Sequence, residues 1–272
     1  APVIVGTAVA EREDALSIWP AVAALLGALA LQVGANLSND VSDFRRGADS
    51  DTRLGPVRVT QGGLLSQAQV LTGSIVSFAL AALVGVYLTI VAGWPVIVIG
   101  LSSILAAIAY TAGPWPYGYR GLGDTFVFLF FGVVAVVGTY FVQAGEISGI
   151  AFVVPLPVAL TVTAILVVNN VRDIDTDRAA DKRTLAVLLG RRWARVQFAI
   201  VLAGAYLALT LMWIFGSVSV SVMLPWLSIP LLVRPLRAVF YRTDGQSLNR
   251  ALRDTARLHL IFGVLLAAGL VL

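Results

Sequence analysis

Apolar residues run along this chain in long blocks, each about the length of a membrane-spanning helix, and polar residues collect at the breaks between them. The blocks run from Ser17 to Leu37, Gln67 to Ala92, Trp94 to Thr111, Thr125 to Gln143, Gly149 to Val171, Trp193 to Phe215, Ser217 to Val239 and Leu258 to Leu272, with a shorter run from Ala1 to Ala10 ahead of them. The hydrocarbon core of a bilayer is about 30 Å thick and takes roughly 20 residues of helix. The pattern therefore predicts about nine transmembrane helices in an all-α bundle, one membrane domain over residues 1–272. The first run would make only about 15 Å of helix at 1.5 Å per residue. With no initiator methionine, the expectation is that the native N-terminus, including the start of this helix, precedes Ala1. Gly and Pro punctuate the junctions, as at Gly93-Trp94-Pro95, Gly113-Pro114 and Gly145-Glu146.

Charge turns this string of helices into a topology. Numbering the inter-helix loops in order, the even ones hold every one of the 19 basic residues except Arg12. They also hold all of the 15 acids except Glu11, Glu13, Asp14 and Glu146. An excess of Lys and Arg marks cytoplasmic loops, so the even loops are expected at the cytoplasmic face of a bacterial inner membrane, with membrane lipid as the surrounding partner.

Composition agrees and narrows the classes further. Hydrophobic residues make up 58% of the 272, charged residues 12%, and mean hydropathy is +0.89, which excludes an ordinary soluble domain. A net charge of +4 on such a chain reflects loop placement rather than a nucleic-acid partner. There is no Cys, so disulfides, thiolate metal sites and a cysteine nucleophile are excluded.

Two polar segments on the charged face carry candidate chemistry. The first runs from Asn36 to Asp51. If the preceding helix continues, Asn36, Asp40 and Asp43 fall at i, i+4 and i+7 on one stripe. The second runs from Asn169 to Asp181, with Asp173, Asp177 and Asp181 at i, i+4 and i+8 and Asn169 one turn earlier. Its amide-then-carboxylate order echoes the first segment four helices later, which suggests two related four-helix halves facing each other. Like charges this close need a cation, and Mg²⁺ takes oxygen ligands from one or two carboxylates together with substrate phosphates. Metal candidates are Asn36, Asp40, Asp43, Asp173, Asp177 and Asp181. Interleaved Arg45, Arg46, Arg58, Arg172, Lys182 and Arg183 could contact diphosphate oxygens. A solvated cytoplasmic face is the competing explanation of each segment alone, and it remains so for Asp49, Asp51 and Asp175, which lie off the stripes.

Between the two segments, Tyr110 to Asp124 is dense in Gly, Pro, Tyr and Trp. It reads either as an interfacial aromatic belt or as a loop over the diphosphate, with Arg120 on the phosphate and tyrosine rings such as Tyr117 stabilising an allylic cation. The lone His259 has no partner in the sequence and reads as structural.

These segments together resemble the UbiA superfamily of intramembrane aromatic prenyltransferases. The resemblance rests on Asn36 to Asp43 with Gly47-Ala48-Asp49, Gly55 to Gln61, Tyr117 to Gly121, and Asn169 to Ala186, and it covers essentially the whole chain. Within the superfamily it is nearest the actinobacterial branch that prenylates 1,4-dihydroxy-2-naphthoate. It implies that Asp40, Asp43, Asp173 and Asp177 are catalytic, that Asn36, Arg58, Tyr117, Arg120, Asn169, Lys182 and Arg183 bind substrate, and that Mg²⁺ is the cofactor. The implied reaction joins a polyprenyl diphosphate to dihydroxynaphthoate with loss of CO₂ and diphosphate, giving demethylmenaquinone. One position departs from the pattern: Gly47 stands where many relatives carry a third aspartate. The alternatives are another acceptor in the same superfamily, 4-hydroxybenzoate or a chlorin, and a membrane transporter. Transporter sites lie near the midplane, whereas these acids gather at one face.

Overall fold

A computed structural model describes residues 1–47, 54–55, 58–216 and 218–272. Asp49 and Asp51 lie outside the described residues. Within the described residues the chain is helical, joined by turns, with no strand. The helices are α1 (Pro2–Arg12) and α2 (Ile18–Arg45), α3 (Gln67–Ala92) and α4 (Pro95–Ala109), α5 (Gly123–Ala144), α6 (Gly149–Ala179), α7 (Leu185–Phe215), α8 (Val220–Tyr241) and α9 (Gly245–Val271).

Seven of them are long and apolar enough to cross a membrane, and the chain is a multi-pass membrane protein. The two shorter ones are α1, with 11 residues, and α4, with 15. At 1.5 Å per residue α4 spans about 23 Å. It stops at Ala109 because Gly113 and Pro114 follow, Gly113 with a φ of 80°. Large apolar side chains such as Leu83, Ile90 and Trp94 are exposed on the outer helices, as a lipid-facing surface requires.

Local signals set the helix ends. Ser66 and Gln69 form a reciprocal capping box at the start of α3. Ser148, Thr184 and Asp244 accept from backbone N–H groups to open α6, α7 and α9. Gly93 and Gly145 end α3 and α5 at φ 87° and 76°.

Three helices run further than hydropathy suggests. α6 continues to Ala179 and carries the second acidic segment on its last turns. α7 begins at Leu185 and breaks at Gly190 (φ 77°). α9 begins at Gly245, its early turns carrying Asn249, Arg250 and Arg253.

α2 pairs with α3, and α6 with α7. α6 is the most enclosed, with 56% of its most apolar window buried, and it meets α5 closely. A Cβ at Gly132 would lie 2.2 Å from the Ala159 Cβ, so only glycine permits this crossing, within a π-helical stretch from Val127 to Val134. α1 is part of the core: Val5, Val9 and Ala10 are buried with Val136, Phe262 and Leu266. Arg12, the one basic residue outside the even loops, donates to the carbonyl of Leu270 at 3.0 Å, satisfying the C-terminal end of α9. His259 is buried and its Nδ1 is 2.9 Å from the Thr161 hydroxyl, a tie between α9 and α6.

Candidate active site

The last turns of α2 present Asp40 and Asp43, both buried, while Asn36 one turn earlier is exposed. The chain returning from α2 supplies their partners. The backbone N–H groups of Val59 and Thr60 donate to the two Asp40 oxygens at 3.0 and 3.4 Å. Arg58 donates to Asp43 Oδ2 at 2.9 Å, and the Tyr119 hydroxyl donates to Asp43 Oδ1 at 2.8 Å. Each carboxylate is thereby held by two donors.

The last turns of α6 present Asp173 and Asp177, also buried. Arg172 grips Asp173 through two bonds, of 2.7 and 2.6 Å, and is itself 1% exposed. The same guanidinium donates to Asn169 Oδ1 at 2.8 Å and to Asn249 Oδ1 on α9 at 2.7 Å. All its aim is inward, so Arg172 holds Asp173 rather than offering a free hand to phosphate oxygens. Asp177 accepts from the Thr184 hydroxyl at 3.5 Å.

Lys182 joins the segments. Its Nζ lies 3.8 Å from Asp43 Oδ2 on α2 and 3.8 Å from Asp177 Oδ1 on α6, so the two acidic stripes close around one ammonium group. Tyr119 completes the junction. Lys182 sits over its ring at 5.2 Å and Arg46 at 5.4 Å. Burial first, and then the charge and hydrogen bond of Asp43, push its phenol above the ordinary value of 10.0, so it remains a donor. The neighbouring Tyr110 phenol is likewise pushed up, first by burial and then by Asp43, Asp124 and Asp177, which places it among acids from α2, α5 and α6.

Other expected residues lie elsewhere. Helix α6 ends at Ala179, and Asp181 adopts a left-handed φ of 50°. The i+8 position therefore does not exist as a helical position, and Asp181 points outward to pair with Arg183 at 3.2 Å, both exposed. Arg120 is exposed and stacks on Trp115 at 5.1 Å. Tyr117 is buried, its hydroxyl donating to the Ala106 carbonyl at 2.7 Å and its ring stacked on Phe126 at 3.9 Å. It anchors the loop, and Tyr119 is the tyrosine that reaches an acid. Arg46 donates to the carbonyls of Thr111 and Gly113, and Arg45 to Gln67. Asp175 faces solvent and pairs with Arg191 at 2.7 Å.

Hydropathy and motif spacing missed two partners. Asn249 lies in the polar opening of α9, and Asp124 is buried between Asn170 (3.3 Å) and Gln197 (2.7 Å). A fourfold carboxylate set with hard oxygen donors suits Mg²⁺ in chemistry. Among the described residues no three acids form a group that could hold one ion; Arg58 pairs with Asp43, Arg172 with Asp173, and Lys182 lies between Asp43 and Asp177. That is the neutralisation a metal–diphosphate group would share.

Comparison with known proteins gives a consistent answer. The chain is 38% identical to "1,4-dihydroxy-2-naphthoate octaprenyltransferase" of Mycobacterium tuberculosis, over 99% of this chain and 91% of that one. It is 36% identical to the Escherichia coli protein of the same name, over 100% and 90%. Among solved structures, a UbiA homologue from Aeropyrum pernix superposes with a TM-score of 0.73 at 16% identity, covering 98% and 95% of the two chains. A UbiA homologue from Archaeoglobus fulgidus bound to DMAPP and Mg²⁺ superposes with a TM-score of 0.62 at 14% identity, covering 99% and 95%; these two likenesses concern the fold. The UbiA prenyltransferase family model matches residues 1–267, and the chain belongs to that family.

Proposed function

We propose that this protein transfers a polyprenyl chain from its diphosphate to 1,4-dihydroxy-2-naphthoate, with loss of CO₂ and diphosphate, at the cytoplasmic face of a bacterial inner membrane. The observation that carries the site is the Lys182 ammonium held 3.8 Å from both Asp43 and Asp177, which makes one basin of two segments far apart in sequence. The acceptor is supported by relatives of that name at 36–38% identity over nearly the full chain.

On this reading Asp40, Asp43, Asp173 and Asp177 hold Mg²⁺ with the diphosphate, and Asn36 and Asn169 are neutral oxygen donors at the rim. Bound Mg²⁺ would neutralise charge developing on the departing diphosphate. Arg172 is committed to Asp173, so Arg58, 2.9 Å from Asp43, and Lys182, 3.8 Å from Asp43 and Asp177, are the cations assigned to the phosphate oxygens. Tyr119 holds Asp43 by its hydroxyl and offers its ring face to positive charge, now occupied by Lys182 and Arg46. Asp181, Arg120, Tyr117 and Arg183 are left out of the contact set because each is committed elsewhere. The nine helices would make two related halves, α2 to α5 and α6 to α9, each opening on an acid-bearing helix, with α1 and α4 completing the crossings.

The direct test supplies purified protein with Mg²⁺, a polyprenyl diphosphate and equal amounts of 1,4-dihydroxy-2-naphthoate and 4-hydroxybenzoate. A prenylated, decarboxylated naphthoquinol identified by mass is expected. Prenylated 4-hydroxybenzoate alone would overturn the acceptor, and no product at all would overturn the reaction.

A further inference from the structure

One polar chain runs from the second acidic segment to the chain returning from the first, through a residue that belongs to neither. Asn249 Oδ1 accepts from Arg172 Nη1 at 2.7 Å, and Asn249 Nδ2 donates to the carbonyl of Leu54 at 2.8 Å. A guanidinium can only donate and a carbonyl only accept, so the amide has one orientation that satisfies both. Arg172 in turn grips Asp173. Leu54 lies just ahead of Arg58, Val59 and Thr60, which hold Asp43 and Asp40. One turn before Asn249, Gly245 lies under the same residue: a Cβ there would sit 2.9 Å from the Leu54 Cβ and 3.0 Å from the Leu54 carbonyl oxygen. The opening of α9 is therefore shaped to receive the backbone at Leu54, by a hydrogen bond at one point and by the lack of a side chain at another.

We infer that Asn249, seconded by Gly245, is a positioning residue for the diphosphate site. It fixes the returning chain that holds Asp40 and Asp43 to the Arg172–Asp173 pair, so that the acids of α2 and of α6 keep one spacing. The inference rests on the proposed reading in taking the ligand spanned by that spacing to be a diphosphate. Its predicted signature is a loss of diphosphate affinity with little change in turnover once substrate is bound.

The experiment compares wild type, Asn249→Ala and Gly245→Ala in detergent, measuring Mg²⁺-dependent prenyl transfer against polyprenyl diphosphate concentration together with Tm. Each variant is expected to raise KM for the diphosphate by about fivefold, the factor for loss of the tie to Leu54, which Asn249→Ala removes and Gly245→Ala pushes apart, with kcat within about twofold. Gly245→Ala is the stricter arm. A methyl at Gly245 meets the Leu54 backbone and leaves every polar group in place, so a structural role alone predicts a lower Tm with an unchanged KM. If Asn249→Ala does not fold, Gly245→Ala still decides. Wild-type KM in Gly245→Ala, or a fall in kcat with KM unchanged, would overturn the inference while leaving the reaction standing. An inactive wild-type protein would instead overturn the reaction and the inference with it.

Discussion

Arg172 is charged, 1% exposed, and spends its donors on Asp173, Asn169 and Asn249, so its pair with Asp173 cannot be cut without consequence for the fold. Removing one member of a buried ion pair leaves the other uncompensated, at a cost of about 3–5 kcal/mol. Asp173→Ala should therefore lower Tm sharply as well as abolish transfer. Asp177→Asn keeps shape and Thr184 contact, and should abolish transfer with Tm within a few degrees of wild type. Equal Tm losses in both would contradict the assignment of Arg172 as a clamp. The tyrosines make a second contrast. Tyr119→Phe removes the donor to Asp43 and should lower kcat/KM about tenfold, the worth of one hydrogen bond to a charged group. Tyr117→Phe should cost about 1 kcal/mol of stability through the bond to Ala106 and leave kinetics near wild type. The Tyr119 phenol has a raised folded-state value. Its contribution is thus fully present below its unfolded value of 10.0 and lost only as pH climbs through the higher folded one. The pH profiles of wild type and Tyr119→Phe should consequently have the same shape through the neutral range and differ in height, and an alkaline limb near neutrality found in wild type alone would contradict this.

Helices explain which parts of the site could be read from residues alone. Spacing of four placed Asp173 and Asp177 on one face because α6 does continue through them; Asp175, off that stripe and left open between solvent and metal, pairs with Arg191 at an exposed position. The same rule failed at Asp181. The chain turns left-handed there with neither Gly nor Pro to announce it, and that turn sends Lys182 inward and Asp181 and Arg183 outward. Hydropathy also missed the first turns of α9, which are polar on the face that meets Leu54 and Arg172, although Asp244 offered a capping signal. The pairing of Arg172 with Asp173 was illegible for another reason: adjacent residues on a helix do not normally face each other, and a long guanidinium has to fold back to reach its neighbour. Packing between helices has its own test. Gly132→Ala forces a methyl against Ala159, and overpacking of this kind typically costs about 1–3 kcal/mol. A lower Tm with unchanged KM is expected; an unchanged Tm would mean that α5 and α6 separate more easily than their contact implies.

Across the whole molecule, the sequence placed chemistry on one face through loop charge, and the structure gathers Asp40, Asp43, Asp173, Asp177, Arg58 and Lys182 there, with Arg12 at the far end of α9 against Leu270. The absence of cysteine makes that polarity open to labelling. Arg120→Cys, exposed and outside the contact set, should react with a membrane-impermeant maleimide in inverted vesicles and not in intact spheroplasts. Labelling only from the outer side would invert the proposed orientation. What the sequence could not supply is the way the two segments meet, because Lys182, five positions from Asp177, reaches Asp43, 139 positions away, only through the tertiary fold. The central claim is that these two segments form a single Mg²⁺-diphosphate site, and it is tested most directly by titrating wild type, Asp43→Asn and Asp177→Asn with a polyprenyl diphosphate in the presence of Mg²⁺ and again with EDTA. The account predicts Mg²⁺-dependent binding in wild type, lost on chelation and weakened at least about tenfold by either substitution. Binding that persists in EDTA, or that survives unchanged in either variant, would contradict it.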